Sequence, residues 1–458
     1  MGSRSLSGKM DMLSGTLLDK ILIFALPLAA SSILQQLFNS VDVAVVGNFA
    51  QDEAAATAAV GCNGPVINMI INLFVGISVG ANVVISGYLG GHNDEKASRA
   101  VHSAMTIALL SGVFLLFVGV IVTKPLLTLM NTPENVIGYA VQYLRIYFLG
   151  MPFIMVYNFG SAVLRSIGDT KRPLICLVVS GVINACLNMF LVIVFHLDVA
   201  GVAIATVISN VVSSAMVVIF LLREKSVVHL DLKRLGIAKH DLKRMLAIGV
   251  PAGLQSMVFS VSNVIIQSVM NGFGTSAVAG SAVALNYENF SYFIIAAFNQ
   301  ACVTFTSQNY SAGNYDRCRR VFRLCMLLGM VMTAALSWTF ILGRHFFVAL
   351  FTGEATVAEY AVTRMMIILS LNMLSTSYEV GGAALRGIGR SMTPAVLTIF
   401  GTCFFRLFWA YTVCRAYPSF DVLISVYPIS WIITGGAVLI AYFIIRRKAF
   451  SQPVRKLA

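Results

Sequence analysis

Twelve apolar runs, each long enough to cross a lipid bilayer, divide this chain of 458 residues. The hydrocarbon core of a bilayer is about 30 Å thick, and an α-helix crosses it in about 20 residues. Only 11% of the residues are charged, whereas soluble domains average about 25%. The sequence therefore predicts an all-α integral membrane protein with twelve transmembrane helices, at residues 21–48, 60–88, 102–123, 139–163, 173–195, 199–222, 246–271, 281–308, 321–343, 361–385, 394–414 and 423–445.

The distribution of basic residues predicts the orientation in the membrane. An even number of spans places both termini on one side, and 26 of the 32 Lys and Arg residues lie in the loops of that side. Because such an excess marks cytoplasmic loops, we expect a multi-pass protein of the cell membrane with both termini in the cytoplasm. The net charge of +13 belongs to these loops, so we expect the lipid bilayer, and no nucleic acid, as a partner.

No pattern in the sequence predicts a metal site or an enzyme. The eight cysteines are scattered through apolar segments without a CxxC pair, and the six histidines lie at or outside the ends of the predicted spans. Isolated cysteines in apolar segments are typical of small buried side chains. A membrane-embedded enzyme would need a nucleophile or a metal set near the interface, and none is visible.

An internal repeat divides the chain into two halves, residues 1–225 and 226–458. Each half begins and ends on the cytoplasmic side, so the two six-helix lobes are parallel repeats about an axis along the membrane normal, an arrangement typical of transporters. Between them, residues 223–244 form a basic linker, either an amphipathic helix on anionic headgroups or a solvated segment. The matching segments are LRSIGDTKRP at 164–173 with LRGIGRSMTP at 385–394, YLGGHND at 88–94 with YSAGNYD at 310–316, and Pro27 with Pro251.

One carboxylate, Asp42, lies within the first apolar run. A charge inside the membrane costs on the order of 3 kcal/mol on insertion scales, so such residues usually face a wet cavity, a partner or a proton. The sequence therefore predicts a functional role for Asp42. Solvation at the outer end of the helix is the alternative that the sequence leaves open.

Three further polar side chains are expected at a similar depth in the same lobe. Asn184 and Asn188 form an i, i+4 pair on one face of the fifth span, and such pairs are neighbours on a helix surface. Thr206 lies roughly 10 Å below the outer end of the sixth span, which matches the depth of Asp42. The oxygens of these residues could coordinate a hard cation such as Na⁺, or they could hydrogen-bond a carboxyl group that takes up a proton.

Several of these segments resemble the multidrug and toxic compound extrusion (MATE) family. The segments are PLAASSILQQLFNSVDVAVVG in the first span, GISVGANVVISGYLGG in the second and LRSIGDTKRP after the fourth. The resemblance covers nearly the whole chain, in order. It implies a monomer whose two lobes form a V around a central cavity. It also implies export of small-molecule drugs and organic cations, driven by inward flow of protons or sodium ions.

The matching family motif has an acid on the first helix, Asn-x-x-x-Asp on the fifth and Thr on the sixth. Asp42, Asn184 and Thr206 fit this motif, whereas Asn188 stands where the second acid is expected. The missing charge weakens the case for sodium and favours Asp42 as the residue that binds a proton. No cofactor is expected beyond the coupling ion. A Na⁺ site at these four residues, and a purely structural role for the two asparagines, stay open.

Two proline-containing helices are predicted to be irregular. Pro27 removes a backbone donor from the first span and permits a bend. The resemblance suggests a hinge here that responds to protonation of Asp42, and a plain structural kink is the alternative. Asn68 and Asn72, one turn apart beside Pro65 in the second span, are predicted to line the substrate cavity.

The second lobe carries two acids within its predicted spans. Glu288, flanked by Tyr287, Phe290 and Tyr292, is suited to a cationic aromatic compound through charge and cation–π contact. An ion pair with Arg364 is the equally open alternative for Glu288.

Glu379 is the second acid of this lobe, and it is predicted near the cytoplasmic end of the tenth span. There it would act as an inner gate or as a structural partner of Arg386 or Arg165. Arg406, in the middle of the eleventh span, needs an acid or carbonyl partner and is interpreted as structural.

These features together predict a secondary active multidrug exporter that works by alternating access, with proton coupling favoured over sodium. In this cycle an external proton binds Asp42, the first helix repacks, and the drug is released outward. A lipid-intermediate flippase of a related fold is an alternative, as is a membrane-embedded enzyme.

Overall fold

The computed structural model describes residues 10–50, 53–129 and 132–451. Every regular element in these three ranges is a helix. The α-helices are α1 (Leu17–Phe49), α2 (Glu53–Gly90), α3 (Asp94–Leu129), α4 (Glu134–Leu149), α5 (Met151–Ser166), α6 (Lys171–Met189), α7 (Asp198–Leu222), α8 (Lys239–Asn271), α9 (Thr275–Ser311), α10 (Tyr315–Leu342), α11 (Arg344–Ala349), α12 (Ala355–Leu369), α13 (Ser375–Gly387), α14 (Met392–Thr398), α15 (Phe405–Tyr411), α16 (Val413–Ala416) and α17 (Phe420–Ser451).

Ten helical segments in the described part of the chain are long and apolar enough to cross a membrane. An eleventh is formed if α4 and α5, which meet at a bend of 50°, are taken as one span. Helix α9 corresponds to the predicted eighth span and has 37 residues, but it is too polar to qualify on composition. The count of twelve therefore stays a prediction.

The predicted fourth span is broken at Gly150, where α4 ends and α5 begins. Pro152 follows in the first turn of α5, and proline has no N–H to donate to the carbonyl four residues earlier. The helix of α4 therefore cannot continue through Pro152 with a full set of hydrogen bonds. The predicted span at residues 139–163 thus corresponds to a bent pair of helices, and the bend is a feature that apolar length alone did not predict.

The chain forms two compact units whose boundaries differ from the predicted halves. Unit 1 consists mainly of residues 30–89 and 93–250, and unit 2 mainly of residues 12–29 and 251–458. The first part of α1 thus groups with the second half of the sequence, and the linker with the first part of α8 groups with the first half. Both crossings lie at or next to a repeated proline, Pro27 or Pro251, where a helix lacks one backbone hydrogen bond.

The repeated sequence LRxIG forms the same helix end in both units. Gly168 has a φ angle of +86°, and the amide that follows it donates to the carbonyl of Leu164 at 3.1 Å. At the matching position Gly389 has a φ angle of +81°, and the next amide donates to the carbonyl of Leu385 at 2.8 Å. A positive φ followed by this hydrogen bond is a Schellman motif, which favours glycine. The most specific repeat in the sequence therefore has a structural role.

The residues after Gly168 hold the start of α6 and the loop after α7. The Asp169 carboxylate accepts from the backbone amides of Lys171 and Arg172, each at 3.1 Å, and the Arg172 side chain pairs with both Asp169 and Glu224. Burial raises the pKa of Asp169 despite these hydrogen bonds. Burial also acts to raise the pKa of Glu224, but the hydrogen bond and charge of Arg172 outweigh it, so that pKa is lowered. Of its two carboxylate partners, Arg172 thus stabilises the ionised form of Glu224 more than that of Asp169.

The basic linker does not form the amphipathic helix that the sequence left open. Within residues 223–238 the only regular element is a turn of 3₁₀ helix at Leu232–Arg234, and residues 239–244 form the first turns of α8. Side chains of α3 hold it within unit 1, because the amide of Asp231 donates to His102 Nε2 at 3.0 Å and the amide of Ala238 donates to Ser103 Oγ at 3.0 Å. Hydrogen bonds between these backbone amides and the side chains of α3 therefore hold the part of the linker that precedes α8.

A buried carboxylate follows the linker at the start of α8. Asp241 has no exposed surface. Its carboxylate accepts from the hydroxyl of Tyr88 at 2.7 Å and from Arg99 Nε at 2.9 Å. The first turn of α8 is thereby joined to the last turns of α2 and the first turns of α3 within unit 1. Arg244 lies over the Tyr88 ring, 5.0 Å from its centroid.

Candidate functional site

Asp42 lies on the part of α1 that belongs to unit 1, and its side chain is only 8% exposed. Val45 and Val46 lie three and four residues further on, hence on the same face of the helix. Both pack in a buried cluster that includes Val192 of the segment after α6 and Val202 of α7. The face of α1 that carries Asp42 is therefore packed against other helices of its own unit.

The four predicted coupling residues form one hydrogen-bonded chain. Asn188 Nδ2 donates to Asp42 Oδ1 and also to Asn184 Oδ1, the second at 3.2 Å. Asn184 Nδ2 donates to Thr206 Oγ1 at 3.4 Å, and the Thr206 hydroxyl donates to the carbonyl of Val202 at 2.9 Å. The structure thus brings together the residues that the sequence placed at one depth, and a neutral amide is the hydrogen-bond partner of the Asp42 carboxylate.

The backbone of α6 changes its geometry immediately after the two asparagines. A π-helical segment, Phe190–Val194, begins two residues after Asn188. Such segments are rare and occur frequently at functional sites. Helix α6 then turns back into α7, which carries Thr206, so the two helices present their polar groups to each other. Sequence reasoning missed this π segment, since no residue type marks it.

One buried oxygen at this site has no hydrogen-bond partner among the described residues. Asn188 is fully buried, and no described group donates to its Oδ1 atom. Rotation of an amide by 180° exchanges its oxygen and its nitrogen. Asn188 can therefore donate to an ionised Asp42 in one orientation and accept from a protonated Asp42 in the other.

Two oxygens that could coordinate a sodium ion at this site are already engaged in hydrogen bonds. Asn184 Oδ1 and Thr206 Oγ1 already accept hydrogen bonds from neighbouring amides. Coordination of a cation by these atoms would require those bonds to break, and Asp42 would supply the single formal charge.

Two tyrosines beside this site were missed in the sequence analysis. Tyr143 and Tyr147 lie one turn apart on α4, with their rings stacked at 6.0 Å. Tyr143 packs in the cluster that contains Val45 and Val46, and Tyr147 packs against it. Their i, i+4 spacing in an apolar helix is the signal that could have identified them.

The remaining predictions for unit 1 and for the hinge are not tested by the structure. Pro27 lies inside α1, which continues past it as a helix, so its role as a hinge stays a prediction. Asn72 is half-buried on α2, whereas the side chain of Asn68 lies outside the described ones. Their place in a substrate cavity also stays a prediction.

In unit 2, Glu288 forms a bidentate ion pair with Arg364. The Arg364 Nε–Glu288 Oε1 distance is 2.7 Å, the Nη2–Oε2 distance is 3.0 Å, and both residues are buried. Of the two alternatives that the sequence left open, the structure has the ion pair. Because Arg364 neutralises the carboxylate in this state, a cationic compound would have to compete with Arg364 for Glu288, and the role of Glu288 as a substrate contact stays a prediction.

The aromatic residues around Glu288 do not form one surface. Tyr287 is buried, donates to the carbonyl of Phe347 at 2.7 Å and packs in an apolar cluster of its unit. Phe290 packs edge-on against Phe293 at 6.4 Å. Tyr292 is 41% exposed, and its hydroxyl donates to a different acid, Glu379. The predicted substrate set Glu288, Tyr287, Phe290 and Tyr292 is therefore divided among separate contacts.

Glu379 lies beside the middle third of α9, not at a helix end. Its carboxylate accepts from the Tyr292 hydroxyl at 3.2 Å and from the Asn299 amide. Arg386, one of its expected partners, donates instead to Gln255 Oε1 at 3.2 Å. The inner-gate prediction relied on a depth counted along one helix, and distance along a helix is not distance across the membrane. The role of Glu379 as an inner gate therefore stays a prediction.

Arg406 is 1% exposed and has aromatic and neutral polar partners. Its guanidinium lies 4.3 Å from the centroid of the Tyr427 ring and 5.0 Å from that of Phe259. Its Nε donates to Ser430 Oγ at 3.2 Å, and its Nη1 donates to Asn263 Oδ1 at 3.4 Å. Of the acid or carbonyl partner that we expected, the structure has a carbonyl, the side-chain oxygen of Asn263, together with a hydroxyl and two rings.

A family comparison explains both units at once. The MatE family model matches residues 27–190 and, a second time, residues 251–412. The two matched stretches begin at the repeated prolines of α1 and α8. This chain belongs to the MATE family. As a MATE-family protein it is a multi-pass membrane transporter and not an enzyme.

Relatives and solved structures agree with this assignment. The MATE chain is 30% identical to the probable multidrug resistance protein YoeA of Bacillus subtilis over 385 residues, 82% of this chain and 83% of that one. It is 24% identical to the multidrug export protein MepA of Staphylococcus aureus (strain NCTC 8325) over 381 residues, which cover 82% of this chain and 83% of the relative.

Among solved structures, an outward-facing multidrug resistance MATE family transporter has a TM-score of 0.88 at 22% identity, covering 96% of this chain and 98% of that chain. A MOP superfamily transporter from Pyrococcus furiosus has a TM-score of 0.88 at 22% identity, covering 98% and 99%. These likenesses confirm the predicted all-α fold of two lobes.

Proposed function

We propose that this MATE-family protein is a secondary active exporter of amphipathic, often cationic compounds, coupled to inward proton flow through Asp42. The observation that carries the proposal is the buried Asp42 carboxylate at the end of the chain of hydrogen bonds from Asn188, Asn184 and Thr206. The protein works in the cell membrane as a monomer with both termini in the cytoplasm. The relatives named as multidrug proteins support the substrate class.

Proton coupling is favoured because of the neutral partner of Asp42. A carboxylate held by an arginine must break an ion pair to take up a proton, and that costs several kcal/mol in a buried site. Asp42 is held by an amide, which can hydrogen-bond either protonation state after rotation. Proton uptake therefore changes the charge of the site from −1 to 0 without leaving a buried cation behind.

Protonation of Asp42 can also alter how α1 packs against its neighbours. A neutral Asp42 no longer requires the Asn188 donor, so α1 and α6 are free to change their contact. Residues 17–29 of α1 belong to unit 2 and residues 30–49 to unit 1, and Pro27 lies near the point of division. A bend at Pro27 would then convert proton uptake at Asp42 into a change in how the first part of α1 packs.

The deciding experiment measures uptake of a dye by proteoliposomes in the absence of sodium, since protein inserted in the inverted orientation pumps its substrate inward. An imposed pH gradient should drive accumulation of a cationic aromatic dye such as ethidium, and a protonophore should abolish it. Vesicles with Asp42→Asn protein serve as the matched control. Transport that is absent without Na⁺ and restored by adding it would show that the coupling ion is sodium.

A lipid-intermediate flippase is the second candidate function, and one observation favours it. The interior of unit 2 holds three buried arginines, Arg364, Arg386 and Arg406, against two buried carboxylates, Glu288 and Glu379. An excess of positive charge suits an anionic cargo. The test measures the fraction of a fluorescent anionic lipid that external dithionite reduces. If the protein is a flippase, this fraction should increase from about half toward all of the lipid. If the protein is a proton-driven drug exporter, the fraction should stay at about half.

A further inference from the structure

A pocket of about 460 Å³ lies between the first turns of α10 and the last turns of α17, within unit 2. Three arginines line it, Arg319 from α10 and Arg446 and Arg447 from α17. The rest of the wall includes the apolar side chains Phe443, Ile444 and Phe450. Guanidinium and apolar groups thus share one small concavity that has no part in the Asp42 site.

Aromatic stacking holds two arginines of this pocket in place. Phe450 stacks on Tyr315 at 4.8 Å, with 12° between the ring planes, and so holds the last turn of α17 to the first turn of α10. The guanidinium of Arg446 lies 4.9 Å from the centroid of the Phe443 ring, and that of Arg319 lies 5.8 Å from the Phe450 ring. Two of the three arginines, Arg319 and Arg446, therefore lie against aromatic rings before any ligand binds, which reduces the entropy lost on binding.

The pocket lies where both helices change from apolar to basic. Helix α17 is apolar up to Ile445 and continues with Arg446, Arg447 and Lys448, and α10 begins with a basic segment before its own apolar part. Ile440, Phe443 and Ile444 are 62%, 48% and 54% exposed on the neighbouring turns of α17. Exposed apolar side chains one or two turns from a cluster of arginines are typical of the interface between acyl chains and lipid headgroups.

The charges of the pocket favour an anionic phosphate group. Arginine binds phosphate oxygens in a planar, bidentate manner. Asp316 pairs with Arg319 at 2.7 Å, but its carboxylate is 84% exposed, so that pair is weak and can exchange for a phosphate. Three arginines against one carboxylate leave a net charge of +2, which a zwitterionic headgroup would not neutralise.

We infer that this pocket binds an anionic phospholipid, with its phosphodiester on Arg319, Arg446 and Arg447 and an acyl chain along Ile440, Phe443 and Ile444. Basic pockets between transmembrane helices on the cytoplasmic side are suited to anionic headgroups. The positive-inside orientation assigns the lipid to the cytoplasmic leaflet. The site is independent of the coupling ion and of the exported compound.

The test titrates the purified full-length protein in detergent with phosphatidylglycerol, and separately with phosphatidylcholine and with glycerol 3-phosphate, and follows the melting temperature. Phosphatidylglycerol should stabilise the wild type more than either other additive. The triple variant Arg319→Gln, Arg446→Gln, Arg447→Gln should bind it roughly 100-fold more weakly, about fivefold per arginine. The single variant Arg447→Gln, which removes an exposed side chain, repeats the test if the triple variant folds poorly.

The matched control removes the same charge from exposed arginines of unit 2 that do not line the pocket, with Arg320→Gln, Arg323→Gln and Arg390→Gln. Retention of the phosphatidylglycerol effect in this control, together with its loss in the pocket variant, supports the site. Equal loss in both variants would attribute binding to general surface charge and overturn the proposal. An equal effect of glycerol 3-phosphate would overturn it in favour of a soluble anion.

Discussion

At the scale of single residues, Asp42 is the side chain whose removal should have the largest effect on transport. Asp42→Asn keeps the size of the side chain and its hydrogen bond to Asn188 but removes the group that titrates. We expect proton-driven export to fall to the background of empty vesicles, with little change in melting temperature. Asp421→Asn, at the exposed start of α17, is the matched control and should transport normally. Normal export by folded Asp42→Asn protein would exclude Asp42 as the coupling residue.

The residue at position 188 determines whether the site has one carboxylate or two. Asn188→Asp would place a second carboxylate beside Asp42, and two neighbouring carboxylates repel each other unless a proton or a cation lies between them. We expect export by this variant to be faster in Na⁺ than in choline at the same ionic strength. Asn286→Asp, which adds the same charge to α9, should leave export insensitive to sodium. A Na⁺-independent Asn188→Asp protein would contradict this account of ion choice.

The Glu288–Arg364 pair should contribute to stability more than to substrate choice. Glu288→Gln leaves a buried guanidinium without its counter-charge, which costs about 3 kcal/mol or more. We expect a clearly lowered melting temperature, with partial recovery when Arg364→Met is added to the same protein. Glu354→Gln, at an exposed position before α12, should have no effect. If Glu288→Gln instead weakens the binding of cationic compounds alone at unchanged stability, the carboxylate contacts substrate in another state.

At the scale of helices, the start of α8 depends on the hydrogen bonds that reach Asp241. Tyr88→Phe removes the hydroxyl that donates to this fully buried carboxylate at 2.7 Å. Loss of one partner of a buried charge costs about 1–3 kcal/mol. We expect trypsin to cleave within residues 223–244 at least about fivefold faster in this variant. Tyr417→Phe, at a tyrosine that is 69% exposed, should be cleaved at the wild-type rate, and equal rates in all three proteins would show that Asp241 does not hold the linker.

Helix boundaries and helix interiors differ in how well the sequence predicts them. The ends formed by Gly168 and Gly389 are visible as a repeated motif, because a positive φ requires glycine or a close substitute. The break at Gly150 was missed, since apolar periodicity continues across it and length alone suggested one span. The linker was also ambiguous, because its conformation depends on contacts with His102 and Ser103, which lie far away in the sequence.

At the scale of the whole molecule, the basic loops should determine the orientation. Both termini are expected in the cytoplasm because most Lys and Arg residues lie in loops on that side. Alkaline phosphatase fused after residue 458 should be inactive, and green fluorescent protein at the same position should be fluorescent. Phosphatase fused between α16 and α17, on the opposite side, should be active. The reverse pattern of activities would contradict the predicted orientation.

The sequence by itself determined the membrane class, the internal repeat and the group of four residues formed by Asp42 and its three polar neighbours. Composition and segment length identify apolar helices, and two matching halves identify a duplicated fold. Asp42, Asn184, Asn188 and Thr206 could be grouped because an i, i+4 pair shares one helix face and helical rise converts sequence position into depth.

Only the tertiary structure decided which side chains meet in unit 2. Glu288 pairs with Arg364, Glu379 with Tyr292 and Asn299, and Arg406 with two rings. These contacts join helices that are far apart in sequence, so they depend on how each helix is rotated and shifted against its neighbours. The spacing of residues within one helix does not determine that rotation. The rotation is determined by the packing of all helices against one another.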